Sequence, residues 1–206
     1  VSEADVVDKR ASVLAWFRQG AEGTQKIAED IARYRTIVAS VQPAVVVESG
    51  TGSGHFALFL SLLGCGVVTV DIDPWPSYDT VMGWRDNVIQ VVGNSIDPGI
   101  VEAVREAVGD ASPVVVSLDS DHSASHVRAE MEAYSGLVTP GSYMVVEDSV
   151  LDWMPPNAPA RARYRGTPME AVEDFLTAHR DWQVDRDLEG MFAATQNPGG
   201  WLRRWA

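Results

Sequence analysis

Five short apolar runs restrict this chain more than any other feature. They are AVVVES (44–49), VVTVDID (67–73), VIQVVGNS (88–95), PVVVSLDSD (113–121) and SYMVVEDS (142–149). Continuous valine-rich stretches suit strands buried on both faces, as a parallel sheet requires. HFALFLSLLG (55–64), IVEAVREAVG (100–109) and SHVRAEMEAYSGLV (125–138) alternate with them and read as helices. That alternation builds βαβ units, so the expected fold is α/β, a mostly parallel sheet with helices on both faces.

The flanks extend this plan. Residues 3–19 and 24–41 read as helices, the second from Ile27, Ile31, Tyr34 and Val38 at three- and four-residue steps. Pro43 ends that helix by pushing Gln42 out of the α region. EAVEDFLTAH (170–179) is helical again. Strand-like runs at 182–188 and 191–195, extended by 201–205, then suggest an antiparallel C-terminal hairpin. The proline-rich stretch 153–168 reads as a long loop, a feature that is usually functional or mobile. The expectation is one domain over 1–206, with N-terminal helices (1–41), a core (42–150), a loop (151–168) and a C-terminal helix and hairpin (169–206).

Sixteen basic and 29 acidic residues leave a formal charge of −13. Such a chain repels nucleic-acid phosphates and anionic membranes, so neither is an expected partner. A neutral or cationic small molecule, or a divalent metal, suits it better. A homo-oligomer stays open. The single cysteine, Cys65, forbids an intrachain disulfide and makes a reducing cytoplasm the default. VSEADVVDKR at the start lacks the plan of a secretion signal, and no run is long enough to span a bilayer.

The first strand ends in ESGTGSG, with Glu48 before Gly50, Gly52 and Gly54. Ligands of open parallel sheets bind beyond the carboxyl ends of the strands, where these glycines fall. The dinucleotide fingerprint fails, because His55 stands where its third glycine belongs. The P-loop fails for want of Gly-Lys-Ser/Thr. Asp71 ends the second strand, in position for ribose hydroxyls, with Asp73 just beyond. Asn94, Ser95 and Asp97 follow the third and can meet an adenine edge. Together Glu48, Gly50, Thr51, Gly52, Gly54 and Asp71 resemble the cofactor site of class I S-adenosylmethionine (SAM) methyltransferases.

SLDSDH (117–122) and VEDS (146–149) end the fourth and fifth strands. Neighbouring parallel tips would crowd Asp119, Asp121, Glu147 and Asp148 together. Carboxylates so close repel unless something positive intervenes, and a hard cation such as Mg²⁺ is the simplest answer. The Asp119-to-Glu147 interval resembles that between metal ligands in catechol-type, Mg²⁺-dependent O-methyltransferases. Spacing alone does not choose between Asp119 and Asp121. The preferred set is Asp119, Glu147 and Asp148 on the metal, Asp119 also bordering the cofactor. Asp121 is then a ligand, a substrate contact or a base. His122 suits a general base, since imidazole titrates near neutrality. His122 and His126, four apart, also admit a facial triad with Asp119. His55 is expected to pack or cap, and His179 to be exposed. Trp75 and Trp153 are expected near a substrate pocket, and Tyr78 can wall it. Trp84 is assigned to the core.

VVVSLDSDHSASHVRAEMEAYSGLVTPGSYMVVEDS, with the tail from Pro168 to Arg204, is similar to the cephalosporin hydroxylase/rhamnosyl O-methyltransferase family. Asp-Ser-Asp-His and Pro-Gly-Ser-Tyr carry the resemblance most specifically. It implies a Rossmann-like class I methyltransferase domain, SAM as cofactor, often a divalent metal, and a sugar or natural-product hydroxyl as acceptor. A SAM-dependent, Mg²⁺-assisted O-methyltransferase is therefore the leading expectation. A non-catalytic SAM-fold partner subunit and a metal-dependent hydroxylase are the alternatives.

Overall fold

The computed structural model describes residues 25–75 and 85–205. The helix expected at 3–19, Tyr78 and Trp84 lie outside them. Within the described residues a seven-stranded sheet runs in the order β3-β2-β1-β4-β5-β7-β6. Its strands are β1 (Val45–Ser49), β2 (Gly66–Asp71), β3 (Val88–Val92), β4 (Val114–Leu118), β5 (Tyr143–Val146), β6 (Trp182–Val184) and β7 (Trp201–Arg204). The first five are mutually parallel where they pair, and β7 is antiparallel to both β5 and β6.

Alternate residues of each central strand serve opposite faces. Val46 joins Tyr34, Ile37, Phe56 and Phe59, from helices α1 (Ala28–Val41) and α2 (His55–Leu62). Val47 joins Val104, Met131 and Phe175, from α3 (Pro98–Val108), α4 (Ala124–Tyr134) and α5 (Pro168–Ala178). Helices thus cover both faces, as the valine runs demand. Local signals set the helix starts. Asp97 caps α3 by accepting from Gly99 N at 2.8 Å, with Pro98 in the first turn. Thr167 and Pro168 do the same for α5.

Register levels the strand tips. Ser49 pairs with Leu118, and Leu118 with Val146. Asp119 and Glu147 therefore leave the sheet side by side, Glu147 N bonding Leu118 O at 3.0 Å.

The C-terminal expectation needs two corrections. The strand expected over 182–188 ends at Val184, and residues 191–195 are not a strand. Asp185 caps a short helix, α6 (Arg186–Glu189), and Arg33 then collects the carbonyls that a partner strand would have used. Its guanidinium donates to Leu188 O, Glu189 O, Phe192 O and Ala194 O, at 2.6 to 3.2 Å. The two C-terminal strands, β6 and β7, pair antiparallel as expected and are joined by this clamped segment. The expected loop at 151–168 begins inside a short 3₁₀ turn, Ser149–Trp153, and holds a second at Arg161–Arg163.

Candidate active site

A cleft of 630 Å³ opens over the tips of β1, β2, β4 and β5, within the range of small-molecule sites. Its floor is the turn after β1. Gly50 takes φ +87°, and Asp119 O would stand 1.9 Å from any Cβ there. The bare backbone at Gly50 is thus required by the neighbouring strand tip. Gly52 differs, since among the described residues nothing lies within 4 Å of a Cβ built on it. Its N–H is fixed by Asp71 Oδ2 at 2.8 Å.

Around the floor, Glu48 and Thr51 are buried and line the cleft. Glu48 Oε2 accepts from Thr69 Oγ1 at 2.5 Å, and Thr69 Oγ1 meets Thr51 Oγ1 at 2.6 Å. Burial lifts the Glu48 carboxyl to about 8, although the Thr69 hydroxyl and the Lys26 ammonium pull it down. Asp71 lines the cleft wall, and its Oδ1 accepts from Asp73 N at 2.9 Å. Asn94 and Ser95 face the cleft below the tip of β3. Asp73 is exposed and borders no part of it; Gly54 heads α2 outside the lining. Asp97 is occupied as the cap of α3.

The acidic tips do converge. Asp119, His122 and Asp148 each offer a ligand atom, all within 4.8 Å of one another. His122 Nε2 lies 3.5 Å from Asp148 Oδ2 and 3.9 Å from Asp119 Oδ1. The edge of Tyr164 packs against the His122 ring, with centroids 5.2 Å apart. Asp148 adopts the left-handed region, φ 55°, which aspartate tolerates better than most side chains. Burial and the Asp119 charge raise its carboxyl to about 6, against His122. Two carboxylates this close suit a divalent cation, and the imidazole beside them can serve as a ligand or as a base.

Glu147 is engaged differently. Its Oε1 accepts from Tyr34 Oη and lies 3.0 Å from Lys26 Nζ; its Oε2 accepts from Asn197 Nδ2 at 2.7 Å. Lys26 also reaches Asp119 Oδ2 at 2.8 Å. Burial opposes the lysine charge, but Asp119 and Glu147 outweigh it and keep the ammonium protonated. Asp121 lines the cleft while its Oδ1 accepts from Ser123 N at 2.8 Å and from Ser123 Oγ. His126 turns from the acidic tips to Ser95 Oγ, at 3.0 Å, and Glu130 Oε1, at 3.6 Å. The Glu130 hydrogen bond raises its pKa. The arrangement therefore does not assemble the facial triad that the His122–His126 spacing allowed.

Trp75 lines the cleft, whereas Trp153 is 69% exposed and lies away from it. His55 Nδ1 meets Ser53 Oγ at 2.6 Å. His179 is half-buried against Phe175 and bonds Glu132, where exposure was expected. Sequence reasoning missed Lys26, Tyr34, Tyr164 and Asn197 as cleft and tip residues. Lys26 alone had a signal, being one of two lysines, with Lys9, in a chain otherwise based on arginine.

A sheet of this order, with its seventh strand reversed and its ligand cleft over the β1 turn, defines a Rossmann-like methyltransferase fold. The chain belongs to the Rhamnosyl O-methyltransferase/CmcI family, whose pattern matches residues 17–205. A rhamnosyl O-methyltransferase of Mycobacterium tuberculosis is 32% identical over 201 residues, covering 93% of this chain and 80% of that protein. An apo CmcI structure aligns with TM-score 0.61 at 21% identity, over 88% of this chain and 72% of that one. A CmcI structure with Mg and SAM aligns with TM-score 0.59 at 22% identity, over 88% and 73%. Among the described residues no helix is long and apolar enough to cross a membrane.

Proposed function

We propose that this chain transfers a methyl group from SAM to a hydroxyl of a sugar or natural-product small molecule, assisted by a divalent cation such as Mg²⁺. The observation that carries this reading is the meeting of Asp119, His122 and Asp148 beside a cleft floored by the bare β1 turn. Family membership, and a relative named for rhamnosyl O-methylation, support the acceptor class. The reaction is read as cytoplasmic, in keeping with the lone buried thiol of Cys65.

Glu48, Gly50, Thr51 and Gly52 would hold the methionine end of SAM. A cation suits a floor with a buried carboxyl. Asp71 would take the ribose hydroxyls. Its two oxygens already accept from Gly52 N and Asp73 N, which fixes the plane and leaves lone pairs directed outward. Asn94 and Ser95 would border the adenine. Asp119 and Asp148 would hold the metal, with Glu147 as the third carboxylate. When bound, SAM supplies an electrophilic methyl on a sulfonium and the metal a charge that lowers a hydroxyl's pKa.

The chain's own work is orientation and proton transfer. His122 Nε2 accepts the hydroxyl proton, and Asp148 Oδ2, 3.5 Å away, stabilises the resulting imidazolium. Tyr164 fixes the ring plane from the side. Asp121, held by Ser123, contacts the acceptor. Positioning and fixed charge contribute most of the rate, because the methyl donor is already reactive.

Two variants test the roles. Asp119→Ala should lose metal-stimulated turnover and keep SAM affinity within a few-fold. His122→Ala should lose turnover and still bind Mn²⁺, read by electron paramagnetic resonance. Full activity in the first removes the metal role; loss of Mn²⁺ in the second makes His122 a ligand instead of the base.

A further inference from the structure

Lys26 occupies ground that the metal reading assigns to a divalent ion. Its side chain is 3% exposed, and its ammonium lies 2.8 Å from Asp119 Oδ2 and 3.0 Å from Glu147 Oε1. The Phe56 ring covers it at 4.4 Å from the centroid. Asp119 is thereby divided between two tasks, Oδ2 on Lys26 and Oδ1 turned towards His122. Glu147 is fully committed, to Lys26 and Tyr34 through one oxygen and to Asn197 through the other. Without a positive group, the carboxylates at these level strand tips would repel one another and part.

We propose that Lys26 is a resident counter-cation which holds Asp119 and Glu147 together before metal arrives, and that a divalent cation gains Glu147 only by displacing the Lys26 ammonium. This rests on the reading of the cluster as a metal site. Two cations sharing the same oxygens repel at hydrogen-bond range, so occupancy is exclusive. Lysine suits the task because it is a compact point charge on a flexible four-carbon stem. An arginine would grip the same carboxylates as a planar fork and release them less readily. The neighbouring backbone is fixed, with Ile27 N bonded to Gln196 Oε1 at 2.9 Å, so exchange needs only the side chain to swing into the cleft. Competition of this kind makes metal affinity depend on Lys26.

The test has two arms on the full chain. Mn²⁺ binding, followed by electron paramagnetic resonance, should be tighter in Lys26→Met than in the wild type by about tenfold or more, the scale of one screened unit charge. In the wild type, acetylation of Lys26 by an amine-reactive ester, located by peptide mass spectrometry, should be slow without metal and several-fold faster with Mg²⁺. Equal or weaker Mn²⁺ binding in the variant, with Mn²⁺ still bound by the wild type, overturns the exchange and leaves the metal site standing. Labelling that stays slow with Mg²⁺ bound overturns it as well, and decides the matter if the variant does not fold. Binding of Mn²⁺ by neither protein removes the metal reading and the exchange together.

Discussion

Replacing Gly50 by alanine perturbs the point on which the cleft floor and the acidic tips both depend. Gly50 N bonds Val70 O at 2.8 Å, and its φ of +87° turns the chain away from β1. A methyl group there would stand 1.9 Å from Asp119 O and 2.5 Å from Asp119 C, both backbone atoms. The left-handed backbone alone costs an alanine about 1–2 kcal/mol. Overpacking adds about 1–3 kcal/mol, because relief requires the tips of β1 and β4 to part. A loss of about 3 kcal/mol in unfolding free energy is therefore expected, in the tail that strained or overpacked sites produce. Gly52→Ala is the control. It shares a positive φ, +48°, but among the described residues meets nothing within 4 Å, so its cost should be the backbone cost alone, about 1–2 kcal/mol. Urea unfolding followed by tryptophan fluorescence measures both. Equal stabilities for the two variants would refute the close approach of Asp119 as the reason for Gly50.

Tyr34→Phe should destabilise the fold by about 1–3 kcal/mol, because Glu147 Oε1 loses a buried donor; a loss near zero in the same unfolding assay would contradict this. A Glu48 carboxyl raised to about 8 is neutral in the free cleft at pH 7, and a cationic ligand against it favours the ionised form. Binding of SAM should therefore release a proton, and affinity should rise with pH until about 8 and then level off. Calorimetry in buffers of unlike ionisation heat reads the release; an affinity independent of pH from 6 to 9 would exclude it. Ser95→Ala should leave metal binding unchanged and weaken SAM several-fold, since it faces the cleft near β3; unchanged SAM affinity would remove Ser95 from the adenine end.

The sheet was legible because its information is local. Valine runs such as 45–47 and 114–116 have no other stable place than a doubly covered strand. Segment 191–195 was misread for the opposite reason. MFAAT has strand-like composition, yet its carbonyls are taken by Arg33, far away in sequence. The same limit governs the site. Asp119 and Asp148 were visible as strand-end carboxylates whose proximity follows from register. Lys26 and Asn197 reach Asp119 and Glu147 across 93 and 50 residues respectively, and no local pattern encodes such a meeting. Trp153 illustrates the converse, a large aromatic in a promising loop that simply faces solvent.

Anomalous diffraction from crystals grown with Mn²⁺ and S-adenosylhomocysteine addresses the shared cleft most directly. The expected map shows one manganese peak within ligand distance of Asp119 and Asp148, and a nucleoside lying over the Gly50–Gly52 turn. A peak elsewhere, or a nucleoside bound away from that turn, would contradict it.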